Sequence, residues 1–225
     1  HLGNTKAVNQ ALDTYRHKGM RQKLVDILRD KGIADERVLT AINAIPRHTF
    51  MDAAFLEHAY EDKAFQIGEG QTISQPYTVA YMTEWLELEP NMKVLEVGTG
   101  SGYQASVLAE MGTKVFTIER FRKLHEKAKQ QLYILGYNKV KMYFGDGYEG
   151  IPVHAPYDRI IITAAAKEIP QQLLKQLKVG GIIVLPLGND DDQMMVKMTK
   201  TGENDYRKEI GDNFRFVPML PGKIF

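Results

Sequence analysis

The chain has 225 residues, of which 44% are hydrophobic and 25% charged, the ordinary range of a globular protein able to bury one sizeable core. Its formal charge of +1, from 29 basic and 28 acidic side chains, gives no electrostatic reason to bind DNA or an anionic membrane. With no cysteine, disulfides, thiolate metal sites and a cysteine nucleophile are excluded together, and the longest apolar runs, such as Ile160–Ala166, fall well short of the roughly 20 residues a membrane helix needs.

The first segment, HLGNTKAVNQ, is too polar for a secretory signal, and residues 1–19 are read as an N-terminal extension. From Met20 to Arg29 apolar residues recur at helical spacing, and Gly32 follows where a helix stops. A second amphipathic helix opens near Asp35, turns Val38, Leu39, Ile42 and Ile45 inward, and ends at Pro46, which lacks the N–H a helix needs. Between Pro46 and Tyr77 no period survives, so loops and short turns are expected. Pro76 suits the first turn of a helix over Tyr77–Leu88, which Glu89-Pro90-Asn91 breaks.

Beyond Asn91 short β-rich runs alternate with helical stretches, the pattern of a parallel sheet covered on both faces. Strands are expected at Lys93–Val97, Lys114–Ile118, Val140–Phe144, Arg159–Thr163 and Gly181–Pro186, with helices at Ser101–Met111, Phe121–Leu135 and Pro170–Leu177. Met194, Val196 and Met198 alternate with polar residues, as does Phe214–Val217, so the last two strands are expected to be antiparallel. The fold class is therefore α/β, a three-layer, doubly wound, mostly parallel seven-stranded sheet. Residues 20–90 form an N-terminal helical and loop region before the α/β core at 91–225.

In Lys93–Gly102 (KVLEVGTGSG) a strand runs into a glycine-rich turn and then a helix, a device that lets backbone N–H groups approach a ligand closely. Gly98, Gly100 and Gly102 form GxGxG rather than the GxGxxG of dinucleotide sites, and the carboxylate of Glu96 would repel a pyrophosphate but attract a sulfonium or ammonium group. Glu119 ends the second strand, where an acid can accept both ribose hydroxyls; taken alone it reads first as a solvated acid or a partner of Arg120 or Arg122. Asp146, in Gly145-Asp146-Gly147 after the third strand, is placed to accept from an adenine amino group, or it marks a plain turn. Together the three acids specify an adenosine with a cationic tail.

These stretches resemble the first, second and third cofactor motifs of class I S-adenosylmethionine-dependent methyltransferases, with their Rossmann-like fold. Upstream, Gly70–Tyr77 (GQTISQPY) resembles the signature of one family in that class, protein-L-isoaspartate (D-aspartate) O-methyltransferase. Ala44–Phe50, Val94–Leu108, Ala155–Ala165 and Phe214–Pro218 match the same family in order, so the likeness spans Met20 to Pro218. It implies methyl transfer from S-adenosylmethionine to the free carboxylate of isoaspartyl residues in damaged proteins and peptides, with no metal. It also implies cofactor contacts from Glu96, Gly98, Thr99, Gly100, Ser101, Gly102, Glu119, Arg120, Asp146 and Gly147, and an active-site role for Ser74. Thr72, Ile73 and Gln75 would line the acceptor loop.

Two of these readings have alternatives. Ser74 also reads as a helix N-cap ahead of Pro76, and Arg215 reads either as a substrate contact or as a surface cation on an edge strand. Asp190–Asp192 is expected to be a solvated hairpin loop, and His48, His58, His125 and His154 are too scattered for a metal site. A base-directed methyltransferase would carry Asn/Asp-Pro-Pro-Tyr after the fourth strand, where Thr163-Ala164-Ala165-Ala166 stands. A noncatalytic cofactor-binding relative would be expected to have lost Thr72–Pro76, which is intact. A monomeric cytoplasmic enzyme, with neither nucleic acid nor membrane as partner, is the resulting expectation.

Overall fold

The structure, a computed structural model, describes residues 12–225, so most of the expected extension lies outside the described residues. Helix α1 (Tyr15–Asp30) starts earlier than the apolar period predicts. Its first turn is polar and is fixed by a capping box, in which Thr14 Oγ1 accepts from His17 N while the His17 side chain returns to the Thr14 N–H. Helix α2 (Glu36–Asn43) is capped by Asp35 and stops short of Pro46. Helix α3 (Pro76–Trp85) has proline in its first turn, as predicted.

Between α2 and α3, where only loops and turns are expected, lies a hairpin of β1 (Phe65–Gly68) and β2 (Gln71–Ile73). Its strands are too short for alternation to register in the sequence. Its turn takes left-handed backbone at Gly68, Glu69 and Gly70.

The main sheet has the order β5-β4-β3-β6-β7-β8-β9. Strands β3 (Lys93–Val97), β4 (Lys114–Glu119), β5 (Lys141–Phe144), β6 (Tyr157–Ile162) and β7 (Leu177–Gly188) pair in parallel; β8 (Gln193–Lys200) and β9 (Tyr206–Phe214) pair antiparallel. Helices α4 (Tyr103–Glu110), α5 (Arg122–Ile134) and α6 (Gln171–Lys175) complete the layers. This is the mostly parallel seven-stranded, doubly wound sheet the sequence predicts. Alternate residues of each strand point to opposite faces. Val94, Val115, Ile161 and Val184 join a core with α1–α5, whereas Leu95, Phe116, Ile160 and Ile183 join a second core closed by α6.

The N-terminal helices are tied to this sheet by buried Arg159 on β6, whose guanidinium donates to the carbonyls of Leu86 and Glu87 at the end of α3. Those carbonyls have no partner within the helix.

Several boundaries differ from expectation; helix α3 ends at Trp85 rather than Leu88, and β6 begins at Tyr157 rather than Arg159. The helix predicted to Leu177 ends at Lys175, and β7 begins at Leu177, earlier than the apolar run at Gly181, through an irregularity opposite Tyr157–Arg159. The strand expected at Phe214–Val217 is not one, because the chain leaves β8 after Phe214. Phe216 N turns to the side-chain oxygen of Gln193, and Val217 O accepts from Ala165 N at 2.8 Å, beyond the end of β6. No helix among the described residues is long and apolar enough to cross a membrane.

Candidate active site

A cleft of about 990 Å³ opens at the carboxyl ends of β3, β4 and β6, where the strand order reverses. Ligands of open α/β sheets bind at this kind of switch point. Its floor is the glycine turn. Gly98 N and Thr99 N both donate to Ile118 O, at 2.9 and 3.3 Å, and Gly98 takes a φ of 98°. A Cβ there would lie 2.7 Å from Thr163 Oγ1, which donates to Gly98 O. Gly102 is left-handed as well and caps α4, so that helix begins at Tyr103 rather than at Ser101. A Cβ on Gly102 would touch Leu132 and Ala128 of α5, and the residue packs a helix rather than lining the cleft.

The three acids take three different positions. Glu119, at the end of β4, lines the cleft, 5% exposed. Its Oε1 accepts from Gly100 N and its Oε2 from Phe121 N, each at 2.9 Å, so it locks the turn while a lone pair on each oxygen stays available. Burial raises its carboxyl above the ordinary range, opposed by those backbone bonds.

Glu96 does not line the cleft. It shares the face of Val94, fully buried, with Thr117 Oγ1 donating to its Oε1 at 2.6 Å and Thr99 Oγ1 2.6 Å from Thr117 Oγ1. Among the described residues its Oε2 has no partner, and burial pushes the group up to about 8. In this structure Glu96 supports the turn from beneath, through Thr117 and Thr99.

Asp146 also lies outside the cleft lining. Its Oδ1 accepts from Tyr148 N at 2.9 Å and caps a short 3-10 turn, whereas Gly147 faces the cleft at a point where a Cβ would come 2.6 Å from Val97.

Opposite the turn stands the loop leaving β2. Thr72, Ile73 and Ser74 line the cleft; Ile73 is anchored in the core, while Ser74 is half-buried. The N-cap position of α3 belongs to Gln75, without a side-chain bond. Among the described residues Ser74 Oγ has no hydrogen-bond partner, so the capping alternative for Ser74 does not hold. What fixes this loop is Asp62, a residue the sequence did not single out. Its Oδ1 accepts from Tyr77 N at 2.8 Å and its other oxygen pairs with Lys31. Fully buried Arg47 braces the same stretch through the carbonyls of Ala59 and Lys63.

Ser74, Thr72 and Phe216 also line a second, open groove of about 1160 Å³ that includes Gln75 and Arg215. Arg215 is an exposed cation one residue past the end of edge strand β9.

The C-terminal segment forms a wall that sequence reasoning missed. Met219 and Leu220 line the cleft. Met219 N donates to Ala165 O, and Ile224 pairs with the backbone of Arg120 and Arg122 on either side of Phe121. The Arg120 side chain lines the cleft and donates to Pro221 O at 3.1 Å, which holds this strap across the ends of β4 and β6.

Asp13, His17 and His48, none of which lines the cleft, bring side-chain atoms together. There Arg21 pairs with Asp13 at 2.8 Å, and both His48 nitrogens are engaged, by Tyr60 and Leu12 O. These contacts read as a hydrogen-bonded anchor for α1.

A glycine turn in which a Cβ at Gly98 or Gly147 would clash, and an acid with free lone pairs at the end of β4, fit an adenosyl cofactor. The comparisons with known proteins agree. The family model described as Protein-L-isoaspartate(D-aspartate) O-methyltransferase matches residues 19–223. A protein-L-isoaspartate O-methyltransferase of Cytophaga hutchinsonii is 60% identical over 92% of this chain and 94% of its own, and one of Dictyoglomus thermophilum is 52% identical over 92% and 94%. A solved protein-L-isoaspartate O-methyltransferase superposes with a TM-score of 0.80 at 33% identity, over 88% of this chain and 65% of that one. A Plasmodium falciparum structure described as a complex with S-adenosyl-L-homocysteine shares the fold, with a TM-score of 0.77 at 22% identity over 89% and 98%.

Proposed function

This chain belongs to the protein-L-isoaspartate(D-aspartate) O-methyltransferase family, and we propose that it divides the family's reaction between two loops, the glycine turn holding the cofactor and the Ser74 loop presenting the acceptor. The enzyme transfers a methyl group from S-adenosylmethionine to the free carboxylate of L-isoaspartyl and D-aspartyl residues in damaged proteins and peptides. The observation that carries the division is that Ser74, its hydroxyl without a partner among the described residues, lines both the cofactor cleft and the outer groove.

Bound S-adenosylmethionine supplies an electrophilic methyl on a sulfonium. The acceptor carboxylate, with an ordinary pKa near 4, is already ionised at neutral pH, so the chain needs no general base. Ser74 Oγ donates to one carboxylate oxygen and leaves the other aimed at the methyl carbon, while Ile73, Val79, Met82 and Phe216 keep water out. Ideal orientation of this kind is worth up to roughly 7–11 kcal/mol.

On the cofactor side, the backbone of Gly98–Ser101 and Gly147 forms the cradle and Glu119 accepts from the ribose hydroxyls; Arg120 carries the strap. Glu96 and Gly102 act by shaping the turn, and Asp146 by fixing Gly147. Thr72 and Gln75 border the acceptor peptide, and Arg215 receives its backbone or acidic group. Residues 20–90 thus supply the acceptor loop and 91–225 the cofactor core of one compact unit. A monomer acting in the cytoplasm, without nucleic acid or membrane partners, completes the reading; its near-neutral charge supports this, and sedimentation and cell fractionation test it.

The test of the reaction is transfer of labelled methyl to an isoaspartyl peptide and to its aspartyl twin. Label is expected in the first alone. Equal labelling of both, or of neither, overturns the assignment.

A further inference from the structure

The outer groove has a charge pattern that the methyl transfer itself does not require. Besides Ser74 and Arg215 it is lined by Asp191 and Asp192, from the tip of the β7–β8 hairpin, and by Asp212 of β9. All three carboxylates are exposed, and none takes part in an ion pair among the described residues. Arg215 has no such partner either. On a chain of net charge +1, the groove beside Ser74 carries three carboxylates and one guanidinium, none of them in an ion pair among the described residues.

The position of the acids follows from packing. Asp212 N donates to Tyr81 Oη at 3.2 Å, and Phe214 lies against Tyr77 and Tyr81, so β9 is clamped onto α3. A Cβ on Gly211 would fall 2.2 Å from Tyr81 Oη, which makes this a close and fixed approach. Gln193 is buried, and its side chain joins Asn189 O to Phe216 N, tying the hairpin tip to the segment that bears Arg215. The charged rim is therefore fastened to the same helix and segment that flank Ser74.

We propose that this rim selects the sequence around the damaged residue: Asp191, Asp192 and Asp212 favour isoaspartyl peptides with lysine or arginine beside the isoaspartyl group and reject those with acidic neighbours, while Arg215 offsets the charge of the reacting carboxylate. The proposal rests on the acceptor reading above. A peptide whose carboxylate reaches Ser74 lays its neighbouring residues along this groove, where complementary charge raises capture and like charge lowers it. Each exposed pair contributes little, but several acting on one cation, with the opposite sign for an anion, separate the two peptide classes by roughly tenfold in kcat/KM at low salt.

The experiment compares isoaspartyl peptides that differ only in lysine or glutamate on both flanks, assayed with the wild-type enzyme and with the triple variant Asp191→Asn, Asp192→Asn, Asp212→Asn. S-adenosylhomocysteine affinity serves as the check that the variant is folded. The wild type is expected to prefer the lysine peptide about tenfold in low salt and about threefold or less near 0.5 M salt, where screening is strong. The variant should bring the two within about twofold. A wild-type ratio near one, or the same ratio in the variant, overturns the proposal. Labelling of neither peptide by enzyme that binds S-adenosylhomocysteine overturns the acceptor reading itself.

Discussion

The glycine turn at 98–102 and the loop at 72–76 face each other across one cleft and are built on opposite lines. In the turn, Gly98, Thr99, Gly100 and Gly102 each place their N–H on a protein acceptor, and Thr163 closes on Gly98 O. Buried Thr99, Thr117 and Glu96 hold the turn from below. The loop is held by the pairing of Thr72 and Ile73 with β1, by Ile73 in the core and by Tyr77 N on Asp62, and among the described residues the side-chain hydroxyls of Ser74 and exposed Thr72 have no partner. A cofactor of constant shape is served by a preformed, satisfied cradle. An acceptor that arrives in many sequence contexts is served by a loop whose polar groups are still available.

The contrast can be broken most severely on the rigid side. Gly98→Ala places a methyl against Thr163 Oγ1 at a φ that side chains rarely adopt, and S-adenosylhomocysteine affinity measured by calorimetry is expected to fall about a hundredfold. Unaltered affinity would mean that the turn is not the cradle. On the other side, Asp62→Ala removes the acceptor of Tyr77 N. It should lower kcat by roughly five- to tenfold with cofactor affinity unchanged, and Asp62→Asn, which keeps an acceptor oxygen, should restore most of it. Equal damage from both variants would point to the charge pairing with Lys31 instead.

The smallest effect concerns stability. Burial raises Glu96 from its ordinary 4.5 to about 8, so between those values the folded protein keeps a proton that the unfolded chain has released. The stability this group contributes is fully present below 4.5 and is lost as pH rises to about 8; Glu119, also raised by burial, acts in the same direction. Glu96→Gln should flatten the decline of Tm of cofactor-free protein over that interval by roughly 3 °C or more. Parallel wild-type and variant curves would show that Glu96 does not titrate there.

What was legible in the sequence follows the same division. The turn announces itself locally, because a strand, glycines at fixed spacing and a helix lie within ten residues, and the alternating βα pattern around them gives the sheet. Even the orientation of Glu96 has a local signal, since it shares strand parity with Val94 and so faces the α1–α5 side rather than the cleft. The acceptor side offers less. The β1–β2 hairpin is too short to show a period, and Asp62 acts on Tyr77 through a loop that has none. The strap of Met219 to Ile224 is held by Ala165 and Arg120, far away in the chain, so no spacing rule finds it. Ser74 and Arg215 entered through the family resemblance, and their surroundings only through the folded chain.

The central claim, that one loop serves the cofactor and the other the acceptor, is tested most directly by Ser74→Ala with cofactor binding and methyl transfer measured on the same preparation. Turnover on an isoaspartyl peptide should fall about ten- to a hundredfold, with S-adenosylhomocysteine affinity within about twofold of wild type. Unchanged turnover, or affinity that falls in step with turnover, would contradict it.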